Sequence, residues 1–259
     1  MFKVSLADNV TLYHGDALSV LTTLPSGGAG AVLTDPPYSS GGIAIGARQI
    51  DPAHKYQHSN IKRQYPPMMG DAKDQRSWVM WCTLWLAECL RIAQDGAPLL
   101  VFTDWRQLPA LTDAIQAAGW MWRGIVTWDK RSGRPMLGRF RQQCEYVVFG
   151  TKGRFDAPSR ACLPGVYAHA VNAARKVHLT SKPVPLIADL LAVTAPDATV
   201  LDPFMGGGSV GEACVATGRG YIGIELSPEY YQLSEERLRG VMKSGSLPLV
   251  ADFGVRAQC

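Results

Sequence analysis

The residues best suited to chemistry stand in the stretch TDPPY, at positions 34–38, directly after an apolar run. The carboxylate of Asp35 and the carbonyl of Pro36 can each accept a hydrogen bond from an amino group, and the ring of Tyr38 can stack on a planar partner. Pro37 favours an extended conformation at the residue before it and donates no N–H, so the carbonyl of Pro36 is held in place. Taken alone, the stretch fits equally well a strand end at which Asp35 caps a turn.

A glycine-rich turn near the C-terminus is the second candidate for chemistry. The strand predicted before it ends at Asp202 and the next strand ends at Glu225, close to the spacing of about 20 residues at which an acid meets ribose hydroxyls in dinucleotide folds. Glycines at a strand-to-helix turn let the backbone approach a ligand closely, although a tight turn without a ligand is the alternative. Phe204 stands between Asp202 and the glycines, where a nucleotide fold has no need of an aromatic residue, which argues against NAD. The turn contains Phe204, Gly206, Gly207 and Gly208, and a helix is predicted to open at Ser209.

Charge is unevenly distributed along the 259 residues, whose formal net charge is +4. Between Arg123 and Lys182 there are 12 Lys and Arg residues against three acidic residues, so the remainder of the chain is acidic. A basic segment of this kind is typical of a phosphate-binding face, although a solvated basic surface has the same composition. The six cysteines show no CxxC pairing, no secretion signal is visible, and no apolar stretch is long enough to span a bilayer. These features predict a cytoplasmic protein in a reducing compartment.

Short apolar runs alternate with helical patterns, which predicts a parallel sheet with crossover helices. Seven strands are predicted, at residues 10–14, 29–34, 97–103, 122–128, 145–150, 198–202 and 220–225. Six helices are predicted, near residues 17–24, 76–94, 105–118, 183–194, 208–217 and 228–242. In the second helix three tryptophans share one face, and we expect them in the core rather than in a binding surface: Trp78, Trp81 and Trp85.

Two regions interrupt this alternation. Residues 39–75 are rich in glycine, proline, glutamine and basic residues, as expected of a functional lid or a disordered insertion. Residues 151–178 form a second, basic interruption. His54 and His58 are four residues apart in the first region, but no cysteine or acidic cluster completes a metal site, so solvated histidines and no metal are predicted.

The ordered motifs resemble a known enzyme family. Asp-Pro-Phe-x-Gly-x-Gly, downstream of Asp-Pro-Pro-Tyr, resembles the amino-group DNA methyltransferases that use S-adenosylmethionine. The order of the two motifs is similar to that of the circularly permuted β-type subgroup. Four further segments resemble the family, at residues 12–25, 126–135, 140–153 and 178–191. In the third of these, Cys144 stands where the family has a histidine.

The resemblance implies an α/β fold with a Rossmann-like, seven-stranded mixed sheet flanked by helices, circularly permuted and carrying a small basic target-recognition insert. Ligands of such sheets bind outside the carboxyl ends of the strands. This implies one rim with four acids, although each of them alone could also cap a helix. They are Asp16, Asp35, Asp202 and Glu225.

The resemblance also implies how the chain is divided. Residues 1–150 would be the catalytic part of the methyltransferase domain, with a mobile loop at 39–75. Residues 151–178 would be a small target-recognition segment. The cofactor-binding part of the same domain would follow at residues 179–242, and residues 243–259 would form a C-terminal tail.

The implied catalytic set consists of Asp35, Pro36, Pro37 and Tyr38. The exocyclic amine of a base is a poor nucleophile because its lone pair is conjugated into the ring. Hydrogen bonds to the Asp35 carboxylate and the Pro36 carbonyl localise that lone pair, and Tyr38 stacks on a base extruded from the duplex.

S-adenosylmethionine is the implied cofactor. In the family pattern Glu225 holds the ribose and Asp16 the adenine amino group. Thr180 and Lys182 help to bind the carboxylate, and the methionine end meets the glycine turn. The complete implied set is Asp16, Thr180, Lys182, Asp202, Phe204, Gly206, Gly207, Gly208, Ser209 and Glu225.

Duplex DNA is the predicted partner, with a homodimer and a companion restriction endonuclease as further candidates. Because the segment at 151–178 is short, the loop at 39–75 or a second subunit is expected to complete DNA recognition. Contacts to DNA are predicted for Lys62, Arg63, Lys130, Arg139, Arg141, Lys152, Arg154 and Arg160.

The aspartate of the first motif bears on the target base. In the family it accompanies N6-adenine methylation more often than N4-cytosine methylation, for which serine is the commoner residue. The prediction is therefore direct in-line transfer of a methyl group to N6 of adenine in duplex DNA, with base flipping. The alternatives are N4-cytosine methylation, methylation of RNA or of protein glutamine, a non-catalytic nucleic-acid-binding relative, and NAD-dependent oxidoreduction.

Overall fold

A computed structural model of the chain describes residues 1–39, 73–133, 135, 137–159, 161–170 and 181–244. Within these residues nine strands form one sheet: β1 (Phe2–Ala7), β2 (Val10–His14), β3 (Ala31–Thr34), β4 (Pro98–Thr103), β5 (Met121–Asp129), β6 (Cys144–Thr151), β7 (Val166–Ala168), β8 (Thr199–Asp202) and β9 (Gly220–Glu225). The helices in the same residues are α1 (Ala17–Leu21), α2 (Gln75–Ile92), α3 (Leu108–Ala117), α4 (Val184–Leu191), α5 (Ser209–Ala216) and α6 (Pro228–Ser244).

The strands follow the order β1-β2-β9-β8-β3-β4-β6-β5-β7. The five strands from β2 to β4 in this order run parallel, whereas β6 is antiparallel to both of its neighbours. The two strands nearest the C-terminus, β8 and β9, therefore lie inside the sheet, between β2 and β3. The sheet is mixed and flanked by helices, as predicted.

All seven predicted strands and all six predicted helices are present, but the predicted strand number is wrong because the sheet has nine. The two additional strands are β1 and β7, which lie at the two ends of the sheet. The residues of β1 largely alternate apolar with polar, the apolar run of β7 is only three residues long, and most residues of both strands are exposed. Pairing with β2 and with β5 defines them, and this information is not local to either segment.

Helices cover both faces of the sheet and create two apolar clusters. Along β4, Leu99 and Val101 point to the cluster built with α1, α2 and α3. Leu100 and Phe102 point to the opposite cluster, which includes residues of α4, α5 and α6. Alternation of side chains between the two faces explains why every residue of β4 is buried and why the strand reads as a continuous apolar run.

The tryptophan face of α2 is only partly a core face. Trp78 and Trp85 are fully buried, as predicted, whereas Trp81 is half-buried and lines a pocket at the edge of the sheet. The cysteines at positions 82, 89 and 214 are buried free thiols, and Cys144 is a partly buried one. Among the described residues no helix is both long and apolar enough to cross a membrane.

The carboxyl ends of the parallel strands bring the four predicted acids to one rim. The register pairs His14 of β2 with Glu225 of β9, and Asp202 of β8 with Gly223. Asp16 follows β2 and Asp35 follows β3 at the same edge. The predicted rim is therefore confirmed, with β8 and β9 between the strands that carry the two N-terminal acids.

Candidate active site

Asp35 occupies the carboxyl end of β3, between two partners from its own loop and from a distant segment. Its Oδ1 atom accepts a hydrogen bond of 2.6 Å from the hydroxyl of Tyr38. Its Oδ2 atom lies 2.5 Å from Nζ of Lys182, whose side chain is almost completely buried. A carboxylate has about four lone-pair positions, so both oxygens can still accept a hydrogen bond from a ligand.

The backbone of the TDPPY stretch is held from two helices. The indole N–H of Trp78, in α2, donates to the carbonyl of Pro37 at 2.8 Å. The side-chain amide of Gln107, just before α3, donates to the carbonyl of Tyr38 at 2.7 Å. Pro36, whose carbonyl precedes these two in sequence, is buried, and no described residue donates to that carbonyl.

A second carboxylate, Glu145 at the start of β6, completes a charged cluster around Asp35. One Glu145 oxygen lies 3.3 Å from Nζ of Lys182 and accepts a hydrogen bond of 3.3 Å from the hydroxyl of Tyr38. The other oxygen lies 3.1 Å from Nζ of Lys130. The cluster thus alternates two carboxylates with two ammonium groups, and its formal charges cancel.

Burial and charge compete in setting the pKa values of this cluster. Burial raises the pKa of Asp35, and the positive charge of Lys182 only partly offsets it. Burial also acts to raise the pKa of Glu145, but Lys182 and Lys130 hold it below its usual value. For Lys182, two neighbouring carboxylates outweigh burial and raise the pKa of the ammonium group, which therefore stays protonated at neutral pH.

A pocket beside Asp35 contains most of the residues predicted to bind the cofactor. Asp35 and Pro37 line one part of its wall, and the glycine turn after β8 lines another, so the two motifs face the same space. Of the predicted cofactor-binding residues, those that line this pocket are Asp16, Lys182, Asp202, Phe204, Gly206, Gly207, Ser209 and Glu225. Gly208 instead lies behind the wall, against Ser234 of α6, where its positive φ of 77° favours glycine.

Backbone N–H groups hold Glu225 at the end of β9. The N–H of Gly206 donates to one carboxylate oxygen at 2.9 Å, and the N–H of Ser227 donates to the other at 2.8 Å. Burial raises the pKa of Glu225, and these hydrogen bonds act in the opposite direction. The carboxylate is fixed in orientation while its remaining lone pairs are available to hydroxyl donors in the pocket.

Asp202 differs from the other rim acids because its side chain is fully buried. One of its oxygens accepts hydrogen bonds from the hydroxyl of Thr34 and the N–H of Phe204, and the other accepts from the hydroxyl of Tyr221. Burial raises the pKa of Asp202 to about 7. Asp202 therefore joins β8 to both neighbouring strands from inside the sheet, so its carboxylate serves the framework of the pocket wall.

Asp16 combines two roles that were alternatives in the sequence. Its carboxylate caps α1 by accepting from the N–H of Ser19 at 3.0 Å, and it also lines the pocket. On another part of the wall, Phe204 packs with its ring centre 5.2 Å from that of Trp81 and 5.1 Å from that of Trp85. The pocket therefore has acidic groups at strand ends and an aromatic wall supplied by α2.

The predicted DNA-binding residues do not share one face. Lys130 belongs to the charged cluster at Asp35, and Arg139 and Arg141 are exposed on the loop between β5 and β6. Lys152 and Arg154 follow β6 at the opposite edge of the sheet, where the backbone of Lys152 contacts residues 96 and 97 before β4. The remaining predictions, Lys62, Arg63, Arg160 and Thr180, lie outside the described residues, as do His54 and His58.

Sequence reasoning missed four residues of the site. They contact either the TDPPY stretch or the pocket: Trp78, Trp81, Gln107 and Glu145. Glu145 could have been predicted from the sequence, because it follows Cys144 in a segment that resembles a His-Glu motif. The other three carry no local signal, since tryptophans on a helix face and a single glutamine are commonly structural.

Fold and site together describe an α/β protein with a pocket at the rim of a Rossmann-like sheet. A family model for N6/N4 methyltransferases, described as DNA methylase, matches residues 30–161 and 161–236. The chain therefore belongs to this DNA amino-methyltransferase family, whose members act on N6 of adenine or N4 of cytosine. The family uses S-adenosylmethionine as its methyl donor.

Two curated relatives cover almost the whole chain. A putative methylase, YubD, of Escherichia coli (strain K12) is 30% identical over 233 residues, spanning 89% of this chain and 91% of that protein. The type II methyltransferase M.XycI of Xanthomonas campestris pv. cyanopsidis is 29% identical over 272 residues, spanning 89% and 88%.

Solved structures of low sequence identity share the fold. The cytosine-N4-specific PvuII DNA methyltransferase superposes with a TM-score of 0.67 at 18% identity, covering 92% of each chain. TTHA0409 of Thermus thermophilus, a putative DNA modification methylase complexed with S-adenosyl-L-methionine, gives a TM-score of 0.64 at 20% identity, covering 91% of this chain and 97% of that one.

The pocket's own residues fit the family cofactor. The glycine turn leaves part of the wall free of side chains, Glu225 presents a fixed carboxylate for hydroxyl groups, and the aromatic wall at Phe204 provides apolar surface. When bound, this group supplies an electrophilic methyl group attached to a sulfonium sulfur.

Proposed function

We propose that this protein methylates N6 of adenine in duplex DNA by direct transfer to a flipped-out base. One observation carries the proposal: the carboxylate of Asp35, which precedes the carbonyl of Pro36 in sequence, lines the same pocket as the glycine turn and Glu225. An amine bound by these two acceptors therefore lies beside the cofactor site. The aspartate, rather than serine, at position 35 favours adenine over cytosine.

The residues around Asp35 prepare two acceptors for one amine. Trp78 and Gln107 donate hydrogen bonds to the carbonyls of the next two residues and so fix the backbone. The carbonyl of Pro36 therefore keeps its direction although it accepts no hydrogen bond from them. Lys182 stabilises the ionised form of Asp35, and hydrogen bonds from the amine to the two acceptors localise the nitrogen lone pair toward the pocket.

Transfer then needs no covalent intermediate with the protein. The amine nitrogen attacks the methyl carbon as the carbon–sulfur bond breaks, the cofactor leaves as a neutral thioether, and the nitrogen afterwards releases one proton to solvent. Tyr38 has its hydroxyl on Asp35 and Glu145, and we propose that its ring face receives the extruded base. Burial and the neighbouring carboxylates raise the pKa of Tyr38, so the hydroxyl remains a hydrogen-bond donor.

We also propose that the chain is a circular permutation within its family and is divided as predicted. Support comes from β8 and β9, which carry the glycine turn and Glu225 yet lie between strands from the N-terminal part. Residues 1–150 would supply the catalytic part and residues 179–242 the cofactor-binding part. Target recognition by 151–178, the role of loop 39–75, the tail at 243–259, a homodimer, a companion endonuclease and a cytoplasmic location remain predictions.

The decisive experiment follows labelled methyl groups to their acceptor. The protein is incubated with methyl-labelled S-adenosylmethionine and, separately, with unmodified duplex DNA, RNA and cell protein, after which the modified residue is identified. We expect label on DNA as N6-methyladenine. Label on N4 of cytosine would instead support the second candidate function, N4-cytosine methylation. That candidate is favoured by the fold shared with the cytosine-N4-specific PvuII enzyme. Label confined to RNA or protein would overturn the proposal.

A further inference from the structure

The loop that joins β5 to β6, residues 130–143, presents two apolar side chains to solvent. Leu137 has a relative exposure of 102% and Phe140 of 92%, the two highest values among the exposed large hydrophobic residues of the described chain. Single exposed apolar residues are common on proteins, but these two are separated by only two residues. Exposed to this extent, they contribute little to the folding of this chain.

The base of this loop is ordered, so its exposed residues stand on a defined support. The N–H of Lys130 donates to the carbonyl of Gln143 at 3.1 Å, which continues the pairing of β5 with β6 by one step. The carboxylate of Asp129 accepts from the N–H of Arg131 and from the side-chain amide of Gln143. These contacts lock the two ends of the loop together.

The loop begins and ends beside the catalytic cluster. Lys130 and Glu145, at its two ends, form an ion pair, and Glu145 contacts Lys182, the partner of Asp35. Phe140 is five residues from Glu145, and five extended residues span at most about 18 Å. The apolar side chains are therefore within reach of DNA whose target base occupies the site at Asp35.

The charge of the loop matches a polyphosphate partner. Its sequence, KRSGRPMLGRFRQQ, contains no acidic residue. Three of its basic residues are exposed, one before, one between and one after the two apolar residues: Arg131, Arg139 and Arg141. Exposed apolar residues within a basic loop distinguish a duplex DNA partner from an apolar protein surface, for which the arginines would be unfavourable.

We propose that Leu137 and Phe140 enter the base stack of duplex DNA at the position from which the target base is extruded. The inference rests on the proposed function, since only a flipped base leaves a gap in the stack. Apolar side chains that occupy such a gap prevent the base from returning and replace part of the lost stacking. The neighbouring arginines bind the phosphates on either side and set the position of the loop.

The test compares a paired target with an unpaired one. Wild-type protein is first used to map the methylated site on unmodified plasmid DNA by identifying the modified base. Two synthetic duplexes of that site are then made, one intact and one with an abasic analogue opposite the target base. Single-turnover methylation is measured on both for wild type, for Leu137→Ala, for Phe140→Ala and for the double variant.

We expect the double variant to be slower than wild type by about tenfold or more on the intact duplex, and by about twofold at most on the abasic duplex, where no pairing opposes extrusion. Phe2→Ala is the matched control: Phe2 is also an exposed phenylalanine, with 58% exposure, but lies on β1 at the other end of the sheet. It should match wild type on both duplexes.

Other outcomes overturn the proposal in distinguishable ways. Equal losses on the two duplexes would show that the loop contributes only binding. Unchanged methylation by the double variant would exclude a role in extrusion, and a changed oligomeric state with unchanged methylation would assign the loop to contacts between copies of this chain. If wild-type protein labels no DNA, the proposed function fails and the inference fails with it.

Discussion

Asp35 and Glu225 are partly buried carboxylates at the same rim of the sheet, separated by one strand, but different kinds of partner hold them. Asp35 depends on the side chains of Lys182 and Tyr38, the first of which lies 147 residues away. Glu225 is held by backbone N–H groups of its own turn and of the glycine turn. Backbone donors survive substitution, so the Glu225 region should tolerate changes that disable the Asp35 region.

Asp35→Ala should have the largest effect, because it removes one of two acceptors for the amine and leaves the backbone donors that hold Glu225 in place. We expect the rate of methyl transfer to fall by about 100- to 1,000-fold while the Kd for S-adenosylmethionine changes little. Transfer of labelled methyl groups and equilibrium dialysis measure the two quantities. Asp35→Asn, which keeps the volume of the side chain, is the control. A large loss of cofactor binding in both variants would show that the two regions are not independent.

Lys182→Met should have the next largest effect, since it removes the cation that lies between Asp35 and Glu145. The positive charge of Lys182 lowers the pKa of Asp35, so its removal raises that pKa further. The acidic limb of the rate profile should move to higher pH, and the rate at neutral pH should fall by about tenfold or more. A pH profile of single-turnover methylation measures both.

A second substitution sharpens this prediction. The negative charge of Glu145 raises the pKa of Asp35, so Glu145→Gln alone should move the acidic limb to lower pH. Added to Lys182→Met, it should move the limb back toward the wild-type position. Profiles that differ in height but not in position would show that the cluster only supports the fold.

Glu225→Gln tests the other region, and its effect should be confined to binding. An amide can accept from only one of the two backbone N–H groups and offers fewer acceptor positions to a ribose. We expect the Kd for S-adenosylmethionine to rise by about tenfold and the rate at saturating cofactor to change by less. A drop in the saturated rate as large as that of Asp35→Ala would contradict the separation of the two regions.

Asp202→Asn should have the smallest effect on activity and a pH-dependent effect on stability. Burial raises the pKa of Asp202 to about 7. Its contribution to the free energy of unfolding is therefore fully present below the pKa that this carboxyl group has in the unfolded chain, and it is lost as the pH rises through 7. The loss should amount to a few kcal/mol at most, because raising a pKa by one corresponds to about 1.4 kcal/mol. Urea unfolding at pH 5 and pH 8 should therefore show that the stability of the variant, relative to that of wild type, is greater at pH 8 than at pH 5.

The chemistry behind this prediction is specific. An asparagine at position 202 can accept from Thr34 through its oxygen and donate to the hydroxyl of Tyr221 through its nitrogen, so the internal contacts are retained. The same difference between wild type and variant at both pH values would mean that Asp202 does not titrate in this range.

Much of the fold could be predicted because its central strands have a recognisable local sequence pattern. Each residue of β3 and of β4 is buried, so these strands appear as short apolar runs, and the helices between them show helical periodicity. The strands β1 and β7 escaped because they are exposed or short and exist through pairing. The sequence also did not predict that, of the three tryptophans on α2, two are buried and Trp81 lines a pocket. Helical periodicity identifies the inner face of a helix but not a pocket that opens beside it.

By itself, the sequence determined which residue types stand at the strand ends: an aspartate followed by two prolines, and a glycine turn followed by a glutamate. Backbone preference and side-chain chemistry are local properties, so these segments carry their own signal. Only the tertiary structure decided what those groups contact, because Lys182, Glu145 and Trp78 reach Asp35 or its loop from separate elements. Charge and burial act through space, so the protonation of Asp35 and the interior position of Asp202 follow from packing rather than from either motif.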